Sequence, residues 1–262
     1  MSNLITCKGI VIREQIYGEN DKFLVILTDT LGSLPVFCKG ARSYKSKYMV
    51  CAQLFCYSEL VLYKKGDAYW LREGSLIENF YGLREDIAAF ALAQYLLEAV
   101  CEVTRENQQD GEIQRLLLNT LYALEKTDKP AEQIKAVFEL RLCALSGFMP
   151  DLVGCAVCGQ YEDGQMAFDI SAGALYCGAH ANRSAYQTLS AQSPPARPAL
   201  VFVEPTVLKA LRWAVFAPQP RLFAFEIPAQ ALVAFAQITE RYLTYHVDKN
   251  FETLSFYKSV IT

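Results

Sequence analysis

The 262 residues are enough for one large domain or two to three small ones, and 52% apolar with 20% charged residues supplies a core and excludes a mostly disordered chain. A net charge of −3 excludes a general polyanion binder, so any contact with nucleic acid must use a local patch. Stretches free of Asp, Glu, Lys and Arg reach only 13 residues, as at 227–239, short of the roughly 18 that span a bilayer. Residues 1–8 show no basic region leading into an apolar block, so the expectation is a cytoplasmic protein without a membrane span or secretory signal.

The first 80 residues read as short strands. Alternating or β-rich runs occupy 5–17, 22–28, 34–38, 55–63 and 68–80, separated by turn signals at 18–21, 29–33 and 64–67. Gly9 inside the first run suggests a bulge. Five strands with a longer polar connection between the third and fourth predict a closed barrel of the OB-fold type, although an SH3-like barrel gives a similar pattern. This segment carries ten basic and eight acidic residues, against 15 and 20 in the remainder. The basic surplus is N-terminal.

The period changes at Gly82. Apolar residues at helical spacing predict helices over 84–104, 111–125 and 130–147, with Pro130 in the first turn of the third. A cysteine-containing segment, about 152–186, precedes a Pro-rich stretch, 193–205, that cannot be regular helix. Two further helices are predicted over 206–216 and 228–246, whereas 251–262 has no clear period. The expected class is α+β: an N-terminal OB-fold nucleic-acid-binding domain (1–81), a helical domain (82–151 and 187–262) and a zinc-binding element (152–186) inserted within it.

Six of the nine cysteines (Cys7, Cys38, Cys51, Cys56, Cys101, Cys143) sit in apolar surroundings and read as core residues. The others form a C-x2-C-x18-C-x2-H pattern of Cys155, Cys158, Cys177 and His180, the spacing of a zinc ribbon with histidine in fourth place. Two tight turns, each bringing two donors together, complete a tetrahedron around Zn²⁺. Gly154, Gly159 and Gly178 suit such turns, and 166–168 with 174–176 would form a hairpin between them. A redox CxxC and a chance cluster of reduced cysteines are the alternatives. Four protein donors leave no open position, which points to a structural ion. His180 is followed by Ala181-Asn182, so the H-x-E pattern of zinc deaminases is absent.

No acidic residue occurs between Asp29 and Glu59, and within that window lie Lys39, Arg42, Lys45 and Lys47 interleaved with Tyr44 and Tyr48. Cations for phosphates and rings for bases are the chemistry of a single-strand groove; the bland alternative is a solvated loop. Arg13, Lys22, Lys64, Lys65 and Arg72 are weaker candidates for widening the patch.

The order of barrel, helices and inserted zinc knuckle resembles the RecO family of bacterial recombination mediators. The likeness rests on Gly-Ile-Val-Ile at 9–12, Lys-Gly-Ala-Arg at 39–42 with Ser46-Lys47, and Leu-Ser-Gly-Phe-Met-Pro at 145–150, and it covers essentially the whole chain. The resemblance implies a DNA repair protein that binds single- and double-stranded DNA and anneals complementary strands. With RecR it would load RecA onto DNA coated by single-stranded DNA-binding protein, as a nucleoid-associated factor. It further implies DNA contacts at Lys39, Arg42, Tyr44, Lys45 and Lys47, and structural zinc on Cys155, Cys158, Cys177 and His180. His180 stands where metal-bearing members have a fourth cysteine. The C-terminal tail of single-stranded DNA-binding protein would dock on the helical part, with Lys135 and Arg141 as the positions considered. No G-x-x-x-x-G-K-[ST] loop occurs, so ATP hydrolysis is not expected and the chain reads as a non-enzyme. The competing readings are a zinc-dependent hydrolase and an RNA-binding factor built from barrel and zinc ribbon.

Overall fold

The period-two runs of the N-terminal segment form five strands: β1 (Leu4–Tyr17), β2 (Asp21–Thr28), β3 (Gly32–Cys38), β4 (Tyr57–Lys65) and β5 (Ala68–Glu78). In the computed structural model, which describes residues 3–181 and 200–262, they close into a barrel of order β1-β2-β3-β5-β4. All pairs are antiparallel except β3 with β5. That order is the OB arrangement. Leu24, Ile26, Leu34, Val36, Leu60, Leu62 and Leu71 fill the interior, each almost wholly removed from water. The alternate residues of the same strands therefore face outward.

β1 is shared by two partners, β4 along 4–10 and β2 along 9–17, which requires it to coil sharply. The irregularity that permits this lies between Val11 and Arg13, at Ile12, and not at the predicted Gly9. Gly9 has another role. A Cβ there would stand 2.5 Å from the Ile26 methyl and 3.3 Å from both Leu27 O and Leu60 Cδ1, so the glycine lets barrel walls approach.

The chain divides into two compact units, residues Met1–Thr127 with Phe251–Thr262, and Asp128–Asn250. The first adds to the barrel α1 (Ile87–Val103), α2 (Gly111–Lys126) and a helix at the C-terminus over Glu252–Ile261. α1 starts three residues later than predicted because Tyr81–Arg84 form a 3-10 turn and Asp86 caps the helix, accepting from the Ala88 and Ala89 amides. Gln114 of α2 donates to Lys8 O at 3.1 Å and Leu27 O at 2.9 Å, fastening the helix to the barrel. The C-terminal helix went unpredicted because only Leu254 and Tyr257 are buried along it. It packs on α1, where Phe251 meets Tyr95 edge-on at 5.4 Å and the Thr253 amide donates to Glu98.

The second unit contains α3 (Ala131–Leu145), α4 (Pro205–Phe216) and α5 (Ala229–Val247), with a four-stranded sheet of order β6-β8-β7-β9. Its strands are β6 (Asp151–Cys155), β7 (Ala167–Asp169), β8 (Ala174–Tyr176) and β9 (Leu200–Phe202); β7 and β8 form the expected hairpin. The end of the predicted zinc element, the start of the second helical segment and residues 193–199 of the Pro-rich stretch lie outside the described residues. Between α3 and α5 a buried Lys135 meets Glu139 at 3.1 Å and Glu240 at 3.0 Å, and Glu139 also accepts from Thr239 at 2.8 Å. Burial pulls the Lys135 ammonium down, but Glu139, Glu240 and Glu132 outweigh it and hold it above the ordinary lysine value.

Five of the six scattered cysteines are buried and Cys101 is half-buried. Burial pushes the Cys7 thiol up to about 11 and Cys38 up to about 12, so both stay protonated.

Gly9→Ala is expected to destabilise the barrel unit by about 1–3 kcal/mol through overpacking against Ile26, read by urea denaturation. Lys135→Met leaves Glu139 buried without its cation and is expected to cost the second unit about 3–5 kcal/mol. Adding Glu139→Met should return much of that loss, and a further loss in the double variant would contradict the argument.

Candidate nucleic-acid interface and metal centre

The connection from β3 to β4, residues 39–56, is built from successive turns whose frame is fixed from the barrel. Asp21 accepts from the Gly40 amide at 2.7 Å, and the Arg42 amide donates to Asn20 O at 2.9 Å. Ala41, Cys51 and Ala52 are buried with the barrel core. Gly40 has φ +70°, a conformation that favours glycine. With small apolar residues turned inward, the polar ones are left outside. Lys39, Arg42, Tyr44, Lys45 and Lys47 are all exposed, Tyr44 to 90%. The Arg42 guanidinium donates to Glu19 O at 2.8 Å, and the Lys47 ammonium sits 5.1 Å from the Tyr48 ring centroid. The structure thus gathers the five predicted contacts on one connection.

The secondary candidates divide. Arg13, Lys65 and Arg72 are exposed. Lys22 is engaged by Glu14 at 2.8 Å and Ala52 O at 2.9 Å, so it braces the loop instead of offering a free charge.

A second feature lay beyond local sequence reasoning. A groove of about 650 Å³ on the outer barrel wall is lined by Lys39, Tyr48, Tyr63, Lys65, Trp70 and Arg72. Arg72 lies 4.9 Å from the Tyr63 ring centroid, and Tyr48 Oη donates to Arg72 O at 2.9 Å. Cross-strand register extends the row of rings: Tyr63 pairs with Trp70, Trp70 with Phe37, and Phe37 with Phe23. Tyr17 meets Phe37 edge-on at 5.6 Å. The one available signal was that each ring occupies an outward position of its strand; the register joining them is a tertiary property.

In the second unit, the donor atoms of Cys155, Cys158, Cys177 and His180 all lie within 4.8 Å of one another. Cys155 ends β6, and its amide donates to Gln160 O at 2.8 Å while the Gly159 amide donates back to Cys155 O at 2.8 Å. A Cβ on Gly154 would stand 2.8 Å from Gly159 O, so this knuckle needs its glycine. Cys177 follows β8 and opens a helical turn in which the His180 amide donates to Cys177 O at 2.9 Å. Sulfurs about 2.3 Å from a tetrahedral zinc stand about 3.8 Å apart, and a sulfur and an imidazole nitrogen about 3.5 Å apart. The observed Cys158–Cys177 separation is 3.8 Å, Cys155–His180 is 3.5 Å and Cys177–His180 is 3.1 Å. These donors fit a tetrahedral metal such as zinc. Burial pushes the Cys155 thiol up, but amides at Cys177, Cys158 and Val157 outweigh that and bring it down to about 6, towards the thiolate a metal requires.

Sequence reasoning also missed Arg212, which locks this element to α4. Its guanidinium donates to Leu152 O, Val153 O and Tyr161 O at 2.8, 3.2 and 2.6 Å, pairs with Glu162 at 3.2 Å, and covers the Tyr161 ring at 3.8 Å. The two positions considered for a partner's acidic tail serve the interior instead. Lys135 is buried among carboxylates, and Arg141 donates to the carbonyls of Val215 and Ala217 at the end of α4.

Comparison with known proteins agrees with this arrangement. The family description "Recombination protein O N terminal" matches residues 1–80, and "Recombination protein O C terminal" matches 84–255. The DNA repair protein RecO of Acetivibrio thermocellus is 32% identical over 258 residues, 98% of each chain. That of Desulforudis audaxviator is 30% identical over 253 residues, covering 97% of this chain and 96% of its own. That of Alkaliphilus metalliredigens is 39% identical over 174 residues, 66% of this chain and 71% of its own. A closed barrel, a helical region carrying a Cys3His cluster and these matches along nearly its full length place the chain in the RecO family of DNA repair proteins, which are non-enzymatic recombination factors.

Proposed function

We propose that this chain is a recombination mediator that binds single- and double-stranded DNA through the loop between β3 and β4. Its cations would offset repulsion between two strands while they anneal. Together with RecR it would help load RecA onto DNA coated by single-stranded DNA-binding protein. The observation that carries the reading is the acid-free window between Asp29 and Glu59, in which Lys39, Arg42, Lys45 and Lys47 are all exposed beside the exposed Tyr44. Family membership supports DNA and RecR as partners, the tail of single-stranded DNA-binding protein as a further one, and a cytoplasmic, nucleoid-associated site of action. The functional division follows the same lines: residues 1–81 for DNA, 82–151 with 187–262 for partner proteins, and 152–186 for the metal-pinned element.

The metal we assign is zinc in a structural role, held by Cys155, Cys158, Cys177 and His180. Four donors fill a tetrahedron, so the ion holds the two knuckles together and offers no position for an attacking water.

Changing Lys39, Arg42, Lys45 and Lys47 together to Glu is expected to abolish single-strand binding without unfolding the protein, since all four are exposed. The unmodified loop should show log K falling with log salt at a slope of about −2.8 if each cation meets one phosphate. Binding retained by the variant at low salt would defeat the assignment. Strand annealing on DNA precoated with single-stranded DNA-binding protein tests the mediator role itself. For the metal, X-ray absorption is expected to show three sulfur and one nitrogen neighbours around a single zinc. Cys177→Ala should lose the ion and lower the unfolding midpoint of the second unit, whereas an open coordination site would contradict a structural role.

A further inference from the structure

The groove beside the loop and the row of rings that leads from it have a chemistry distinct from the loop's charges. The rings occupy outward positions: in β5 Tyr69 and Leu71 are buried while Trp70 is half-buried and Arg72 exposed, and in β4 Leu62 is buried between the half-buried Val61 and Tyr63. Register pairs Tyr63, Trp70, Phe37 and Phe23 in succession across β4, β5, β3 and β2. Tyr63 and Trp70 have centroids 6.3 Å apart, and Tyr17, 62% exposed, completes the row against Phe37. A soluble barrel rarely leaves such a row open without a partner for it. Lys39, Lys65 and Arg72 line the groove, and among the described residues no carboxylate lines it.

Charge selects the occupant. At the groove, rings flanked by cations suit a polyanion that carries flat apolar faces, and an unpaired nucleic-acid strand has both. A duplex keeps its base faces stacked inside, so it can meet the cations but not the rings. Resting on the reading that this protein binds DNA, we infer that the row Tyr63–Trp70–Phe37–Phe23–Tyr17 is a stacking platform for unpaired bases, and that it gives the barrel its preference for single strands over duplex. The loop cations meet phosphates of either form.

The test uses the full-length protein and Trp70 as its own reporter. The sequence contains two tryptophans, and Trp213 is held inside the second unit by a bond from its Nε1 to Leu222 O. In a Trp213→Phe background, titration with oligothymidylate is expected to quench Trp70 emission, and a duplex of equal length should leave it nearly unchanged. Tyr63→Ala with Trp70→Ala should weaken single-strand affinity about tenfold or more and duplex affinity less than about twofold. Trp70→Phe should retain most of the affinity. Arg42, Lys45 and Lys47 changed together to Ala should weaken both forms.

If oligothymidylate leaves Trp70 unquenched while the loop variant loses affinity, the platform is overturned and the loop reading stands. If Trp70 is quenched by single strands and the loop variant binds normally, the platform is supported and the loop reading fails. Equal loss of both forms in the alanine pair, or quenching by duplex, overturns the selectivity. Emission that changes with protein concentration in the absence of DNA, and not with DNA, makes the row a protein interface and overturns the inference. Should the alanine pair fail to fold, the quenching experiment decides alone.

Discussion

Barrel closure depends on β1 serving two neighbours at once. Its first half pairs with β4 and its second with β2, and Ile12 supplies the extra residue that turns it from one to the other. Once the sheet is closed there is no free edge, and outside the stretches of β1 and β2 that the helices cover, each strand has one face toward Leu, Ile and Val and one toward water. That alternation determines what the surface can offer. Cations and rings at outward positions are held in a fixed lattice, and the turn-rich connection after β3 is anchored at Gly40, Ala41, Cys51 and Ala52.

The second unit solves a different problem. Its strands are three to five residues long and too short to bury a sheet face of their own. Two devices compensate. The Cys3His donors bring together the ends of β6 and β8, and Arg212 ties carbonyls of β6 and of the segment after the first knuckle to α4. A guanidinium with most of its donors satisfied can be buried at low penalty, so the clamp is compatible with the apolar surroundings. A metal at the cluster and the helix would therefore hold the same element by independent means. Loss of such an ion would remove one of two restraints, as the proposed structural role requires.

Much of this was legible in the sequence, for identifiable reasons. The five strands fall within two residues of their predicted limits at every end, because a barrel wall with one wet face writes period-two alternation directly into the chain. The Cys3His ligand set is equally local, since the two knuckles are short turns with fixed donor spacing. Other features were not local. Gly9 reads as a bulge from sequence, but its reason is contact with Ile26 across the barrel. The helix over Glu252–Ile261 shows no stripe because one face of three turns buries only Leu254 and Tyr257. Lys135 and Arg141 look like surface cations on an amphipathic helix, yet their partners Glu240, Val215 and Ala217 are 74 to 105 residues away in the chain. The ring row is the extreme case: its members lie on five strands, and only register assembles them.

The placement of the two recognition chemistries also has a physical logic. Phosphates adopt different spacings in a single strand and a duplex, and Coulomb attraction falls slowly enough with distance to tolerate that variation. Long lysine and arginine side chains on a connection made of turns can follow either form. Stacking has less tolerance, because a gap of about 0.5–1 Å already forfeits a quarter to a half of the dispersion energy and ring planes must face one another. Rings set in β register, with neighbouring strands about 4.8 Å apart, keep their planes without help from the ligand and lose little entropy on binding. Lys39, Arg42, Lys45 and Lys47 lie on the connection and the row of rings lies on the strands, so on the proposed reading each interaction would have the rigidity it requires. On the proposed reading, affinity for DNA in general and preference for unpaired bases would be set by different residues.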